Sequence, residues 1–314
     1  MLSNDSIQLN NKVINPLRRH ANKLADKKHK NNVANIMINN EDTHIPINLP
    51  TAIIGEKGSG KSTMIKAIIE TTNKNIFNHI YFIYSPLTSD LILPPDVIRV
   101  DINDASEFLG MLFETKSIFN SYISFFRSLD FNKLQKLYEQ HELQESDIMK
   151  YVDNNIIKYN KQIINSIQSP YEKIDSVINT GTKIIAHFSK PFNIGNVRIE
   201  GLRYDERDAV IIDDIAIAAK MLFKQIKENP IYEYLTLTRH MRLFILFAGQ
   251  QVEQIPKSLR REIMCWLFAK NTNLELLNGV LQKNTIQKIE QKQEQIGKYE
   301  FVIYNVVDGV IDTI

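Results

Sequence analysis

The segment Thr51–Thr63, "TAIIGEKGSGKST", restricts the fold more than any other stretch of the 314-residue chain. A short apolar run meets Gly55, and after four residues come Gly60, Lys61 and Ser62, the spacing G-x-x-x-x-G-K-[ST]. From Lys61 onward Met64, Ile65, Ile68 and Ile69 recur at helical spacing, so the order is buried strand, glycine-rich turn, amphipathic helix. Glycines let such a turn wrap closely enough for backbone amides to point at phosphate oxygens, and the helix start adds the positive end of its dipole. Gly55, Glu56, Lys57, Gly58, Ser59, Gly60, Lys61, Ser62 and Thr63 are therefore the candidate nucleotide-binding residues. In this role Lys61 reaches the β and γ phosphates, the Ser62 hydroxyl holds Mg2+, and Thr63 lies beside it on the same helix start.

A phosphate loop of this kind needs a parallel sheet around it, and the chain supplies further strand patterns. "HIYFIYS" (79–85) and "VIRVD" (97–101) follow, with "LPPD" turning between them; "DAVIIDD" (208–214), "RLFILFAGQQ" (242–251), "MCWLFAK" (264–270) and "YEFVIYNVV" (299–307) come later. The expected fold is α/β with a mainly parallel sheet. Pro46 and Pro50 bracket the entry to the first strand, so the core is expected from residue 47 to 314, preceded by an arm over 1–46. Ile118, Tyr122, Phe125, Phe126 and Leu129 share one helical face, and Ile148, Val152, Ile156, Tyr159, Ile163 and Ile167 are expected to share another, which makes 116–180 a helical insertion. The stretch from Asn273 to Gly297 is expected as a helix whose Gln-, Lys- and Glu-rich later part is mostly solvated.

Hydrolysis of a bound triphosphate needs a carboxylate for the metal and a group that orients water. The apolar run of "AVIIDD" ends in Asp213 and Asp214, and ligands of parallel sheets sit at the carboxyl ends of strands. Asp213 is the candidate metal-shell carboxylate and Asp214 the candidate for polarising water, with helix capping as its structural alternative. Gln250, where the strand "LFILFA" emerges, is the candidate sensor of the γ-phosphate or the water. Arg239, Arg242, Arg260 and Arg261 flank this strand and the segment "IPKSLRRE", and one of them is a candidate arginine finger.

Composition removes several other classes. Net charge is only +2, so contact with nucleic acid has to come from a local cluster; "PLRRHANKLADKKHK" gathers Arg18, Arg19, Lys23, Lys27, Lys28 and Lys30 against Asp26, which reads as a solvated arm or as a phosphate-backbone contact. No stretch approaches the roughly 18 apolar residues of a membrane span, and the N-terminus lacks a signal-peptide core, so a soluble, non-secreted protein is expected. The single cysteine, Cys265, sits in the apolar context "REIMCWLFAK" and is expected to be a packing residue in a reducing compartment. His79, His187 and His240 are scattered without partners at zinc-ligand spacing, and no G-x-S-x-G elbow occurs.

The ordered set "GEKGSGKS", "AVIIDD", "TRHMRLFILFAGQQ" and "IPKSLRRE" resembles the FtsK/HerA-type P-loop ATPases. More narrowly, it is similar to the virion genome-packaging ATPases of poxviruses, other large DNA viruses, virophages and polinton-like elements. The resemblance covers residues from about 47 to about 270. It implies a RecA-like core in which the strand ending at Gln250 lies between the P-loop strand and the strand ending at Asp213. It also implies ATP and Mg2+ as cofactors, a ring-shaped homo-oligomer with ATP between neighbours, and duplex DNA in the channel. Asp214 carries over as the catalytic carboxylate, where the broader group usually has glutamate, and Arg239 or Arg260 as the finger. A capsid or portal-like vertex partner, and a location at host cytoplasmic assembly sites or in the virion, are implied in the same way. Outside the motor class stand a P-loop kinase acting on a small nucleoside-like acceptor and a nucleotide-dependent scaffold; the glutamine-ended strand argues against the kinase.

Overall fold

The structure is a computed structural model that describes residues 35–38, 41–47, 49–72, 76–85, 91–140, 142, 144–167, 169–203, 207–222 and 242–314. Arg239, His240 and the basic cluster over 16–30 lie outside the described residues. Two compact units are present, one formed by Asn32–Phe113 with Glu206–Ile314, the other having Glu114–Asp205 as its described part.

The first unit opens with an antiparallel hairpin of β1 (Asn35–Ile38) and β2 (Glu41–Pro46), bulged between Ile36 and Met37. Ile45 and Ile47 are buried in the same core as Ile53 and Ile65. The folded unit thus begins before residue 47, and part of the stretch expected as an arm is sheet, because Ile45 brings apolar surface to that core. The chain continues through β3 (Thr51–Ile54), α1 (Lys61–Thr72), β4 (Phe77–Tyr84), β5 (Ile98–Asp101) and α2 (Ala105–Ser128), a helix that carries it into the second unit.

The second unit holds the rest of α2 with α3 (Phe131–Glu139), α4 (Glu145–Met149), α5 (Asn154–Ser166) and α6 (Pro170–Phe188), then a hairpin of β6 (Phe192–Ile194) and β7 (Val197–Ile199). Ile118, Tyr122, Phe125, Phe126 and Leu129 pack with Ile148, Val152, Ile156, Ile174 and Val177 into one core, each fully buried side chain worth about 1.5–3 kcal/mol. Asn160 Nδ2 donates to the Tyr122 hydroxyl at 2.6 Å, and burial pushes the Tyr122 phenol up to about 12. The face expected to run unbroken from Ile148 to Ile167 is instead interrupted. Asp153 restarts the helix by accepting the Ile156 amide at 3.0 Å, so Val152 lies in a turn and Tyr159 faces solvent.

The chain then returns to the first unit through β8 (Arg207–Ile212), α7 (Ile215–Leu222), β9 (Leu243–Gly249), α8 (Lys257–Arg260), β10 (Cys265–Ala269), α9 (Lys283–Gln295), β11 (Phe301–Asn305) and β12 (Ile311–Thr313). One eight-stranded sheet results, in the order β12-β11-β10-β3-β9-β8-β4-β5. From β10 to β5 every pairing is parallel, and β11 and β12 extend the β10 edge antiparallel. Strands covered on both faces read as continuous apolar runs, which is why β3, β9 and β10 are buried at every position. Burial also pushes the Cys265 thiol far up, as a packing role requires. The helix expected from Asn273 onward is α-helical only over α9, with a 3-10 turn at Glu275–Leu277 before it; α9 is mostly exposed, and Ile286, Ile289 and Gln293 form its one buried face. Among the described residues no helix is long and apolar enough to cross a membrane.

Candidate phosphate-binding site

Four parallel strands end together. Ile54 of β3 pairs with Gly249 of β9 on one side and Phe268 of β10 on the other, and Ile212 of β8 is in register with Phe247 of β9. The glycine-rich loop leaves this edge at Gly55, whose amide donates to the Gly249 carbonyl at 3.1 Å. A Cβ on Gly55 would stand 2.5 Å from Ala269 Cβ and 2.6 Å from Ser59 Oγ, so the loop packs directly on the end of β10. Gly58 and Gly60 have φ of 81° and 94°, the left-handed region in which side chains are strained. Those turns fold the loop over to the start of α1, where the Met64 amide reaches the Gly60 carbonyl at 2.9 Å.

Within the loop, Lys61 Nζ donates to the carbonyls of Gly55 and Glu56, so its ammonium lies across the loop mouth. Burial lowers its proton affinity below that of an ordinary lysine, while Asp213 and Asp214 pull it back up. Ser62 and Thr63 are exposed at the helix start, and Glu56, Lys57 and Gly58 face solvent. Ser59 is 9% exposed, and its hydroxyl is buried with no hydrogen-bond partner among the described residues. An orphaned buried hydroxyl inside a loop of this shape is a group waiting for a ligand or water.

The carboxylates stand two strands from β3, at the end of β8. The Asp213 amide continues the β8–β4 ladder by donating to the Ile83 carbonyl at 3.0 Å, and Asp213 Oδ1 accepts the Asp214 amide at 3.1 Å. Burial raises the Asp213 carboxyl above its ordinary value and the charge of Asp214 adds to this, against the Asp214 amide and Lys61, which lower it. A divalent cation relieves that cost, and oxygen donors from a carboxylate and a hydroxyl suit Mg2+, so Asp213 and Ser62 fit the metal expected of them. Asp214 has φ of 54°, an uncommon value for a non-glycine residue, and its carbonyl accepts the Ile217 and Ala218 amides. Its backbone therefore opens α7. Among the described residues no three His, Cys, Asp or Glu side chains gather as a metal site.

At the end of β9, Gln250 is exposed and its amide donates to Gln254 Oε1 at 2.7 Å; the Gln251 amide shares the same acceptor at 3.3 Å. Gln254 thus fixes the turn from which Gln250 projects. A glutamine three residues after Gln251 is the spacing of a capping box, the one signal in the sequence that could have found it. Thr272 and Gln293 carry no comparable signal. Thr272 Oγ1 donates to Ile54 at 3.2 Å and Ala269 at 2.8 Å, and Gln293 Nε2 donates to Ala269 at 2.7 Å.

The arginines separate. Arg260 is 9% exposed and its guanidinium donates to the carbonyls of Ile255 at 2.8 Å, Leu276 at 3.3 Å and Glu253 at 3.3 Å. A guanidinium committed to three carbonyls of its own fold is a structural clamp, which removes Arg260 from the finger candidates. Arg261, its neighbour, is exposed. Arg242 precedes β9, at the sheet edge opposite the loop, with φ of 53°. Arg260→Ala is expected to lower stability by about 2–3 kcal/mol, because it leaves buried carbonyls unpaired, read as a lower denaturation midpoint.

The strand order and the loop together define a P-loop α/β protein with an additional strand, β9, between the P-loop strand and the aspartate-ended strand. Among solved structures the chain is similar to the genome packaging NTPase B204 of Sulfolobus turreted icosahedral virus 2 in complex with ATP-gammaS, with a TM-score of 0.46 and 14% identity, over 86% of this chain and 98% of that one. It is similar also to the pCW3 conjugation coupling protein TcpA in its monomer form with ATPgS, with a TM-score of 0.41 and 14% identity over 85% of this chain and 60% of that one. A third is the cytoplasmic domain of the type VII secretion ATPase EccC of Thermomonospora curvata, with a TM-score of 0.39 and 9% identity over 84% of this chain and 25% of that one. No protein-family model matches the sequence, and no curated protein matches it.

Proposed function

We propose that the protein is an ATP-hydrolysing DNA translocase that loads a viral genome into a capsid. The hydrolytic part of the proposal is carried by one observation: β9 lies between β3 and β8, so Gln250 emerges between the loop that holds Lys61 and the strand that ends at Asp213. An acceptor-phosphorylating kinase has no use for a polar sensor in that position. The DNA-packaging part is supported by the four ordered sequence motifs, and so are the ring of identical subunits, the capsid partner and a location at viral assembly sites or in the virion.

In the proposed cycle the loop amides that follow Gly55, whose own amide is held by the Gly249 carbonyl, receive the phosphates, and Lys61 exchanges its two loop carbonyls for β and γ phosphate oxygens. Ser62 and Asp213 would hold Mg2+, which would supply neutralisation of the phosphate charge. Asp214 accepts the proton of the attacking water, whose oxygen bonds to the γ-phosphorus as the bond to the β-γ bridging oxygen breaks, giving ADP and phosphate. Gln250 orients that water or reads the γ-phosphate. A neighbouring subunit supplies the arginine, Arg239 or the exposed Arg261.

The test is the rate of ATP hydrolysis by the purified protein with and without duplex DNA. Stimulation by DNA is the expected result. An ATPase rate unaffected by duplex DNA counts against a translocase, and ADP formation that needs a small acceptor in place of water favours a kinase.

A further inference from the structure

One aromatic side chain beside the loop has no role in the cycle above. Tyr299 lies in the turn between α9 and β11 and is 65% exposed, an unusual exposure for a large ring on a well-packed sheet edge. It stands against the phosphate loop: a Cβ on Gly60 would be 3.5 Å from Tyr299 Cδ1 and 3.6 Å from Tyr299 Cβ.

The turn that presents Tyr299 is held from both sides. Glu300 closes it by accepting the Gly297 amide on Oε2 at 2.6 Å, with the Glu300 amide returning to the Gly297 carbonyl at 3.4 Å. Upstream, Lys270 Nζ donates to the Ile296 carbonyl at 2.7 Å and Gln293 Nε2 to the Ala269 carbonyl at 2.7 Å, which ties the end of α9 to the end of β10. Ala269 is also the residue on which Gly55 packs. Loop and tyrosine are thus built on one strand end, so their spacing is set by the scaffold and not by the rotamer of a lone surface residue. The Lys298 ammonium stands 5.2 Å from the ring centroid, adding positive charge at the surface an anionic ligand would approach.

We infer that Tyr299 is the nucleobase platform of the site, stacking the purine of a nucleotide whose phosphates lie in the Gly55–Ser62 loop. The inference rests on the nucleotide reading of that loop, which the unpartnered buried Ser59 hydroxyl supports independently of the tyrosine. A nucleotide anchored by its phosphates at the start of α1 extends its ribose and base away from the loop. The exposed ring beside Gly60 offers that base a flat apolar face, and such stacking is tolerant of base identity because every base has a π-face. Tyr299 is an affinity residue here; it touches no reacting atom.

The experiment measures equilibrium binding of ATP and of inorganic tripolyphosphate to the full chain by calorimetry. Tyr299→Ala is expected to weaken ATP roughly 5- to 150-fold, the range for losing one aromatic stack, and to leave tripolyphosphate unchanged. Tyr299→Phe keeps the wild-type affinity for both ligands. In Tyr299→Trp the emission of the introduced indole is expected to be quenched by ATP and not by tripolyphosphate; the native tryptophan, Trp266, is buried in β10. Unchanged ATP binding in Tyr299→Ala, or equal weakening of both ligands, overturns the platform. A wild-type chain that binds neither ligand overturns the phosphate-loop reading itself, which is a different failure.

Discussion

Lys61→Ala is expected to abolish turnover and to weaken ATP binding together, while Asp214→Asn is expected to bind ATP like the wild type and lose turnover by on the order of 10²–10⁴. The two substitutions divide the site by what each group meets. Lys61 lies across the loop mouth on the Gly55 and Glu56 carbonyls, so its removal costs ground-state contacts with phosphate and charge stabilisation in the transition state alike. Asp214 sits where β8 gives way to α7, in a left-handed backbone conformation, and in the proposed cycle it acts only when water is activated. Asparagine tolerates the same φ, so the turn survives the substitution. Binding followed by calorimetry and hydrolysis followed by phosphate release separate the two effects; an equal loss of binding in both variants would contradict the division of roles.

The second large effect concerns an arginine acting across subunits. Removing a transition-state arginine of this kind costs about 10³–10⁵ in rate. Arg261→Ala and Arg239→Ala are each to be mixed with Lys61→Ala subunits. If the finger acts in trans, a mixed ring contains sites that join the intact loop of one variant to the intact arginine of the other, and activity reappears where either variant alone is dead. The arginine whose variant gives no such rescue, or retains its own activity, is not the finger. Arg260→Ala belongs outside this comparison, because its guanidinium is occupied by the carbonyls of Ile255, Leu276 and Glu253.

The contrast between Arg260 and Arg261 shows what the sequence alone makes legible. In "SLRRE" the two are adjacent and chemically identical, and the course of the chain through Glu253, Ile255 and, sixteen residues on, Leu276 decides which one is buried. Local patterns were readable: the loop from Gly55 to Ser62, the apolar run into Asp213 and the strand ending at Gly249 all declare themselves within ten residues. The strand order was legible only through the resemblance of the ordered motifs, since nothing in "LFILFA" says which neighbours it pairs with. Long-range polar contacts were not legible. Gln293 lies in a Gln-, Lys- and Glu-rich helix with nothing to mark it off from its solvated neighbours, yet it donates to Ala269 across 24 residues. The hairpin before residue 47 was hidden for a related reason. Its burial comes from Ile45, with Ile47 just after it, reaching a core that is completed by strands far later in the chain, and "NNEDT" between its apolar residues gives the local sequence no sustained apolar pattern.

Gly249 sets a limit on how this site can diverge. A Cβ there would lie 2.7 Å from Ile215 Cγ2, 3.2 Å from Gln254 Oε1 and 3.5 Å from Ile54 Cδ1, so three separate elements close around a backbone with no room for a methyl group. The next residue, Gln250, faces solvent. Mutational freedom therefore changes abruptly across one peptide bond: the exposed side chain at 250, the proposed sensor, is free to vary, but the glycine that aims it is not.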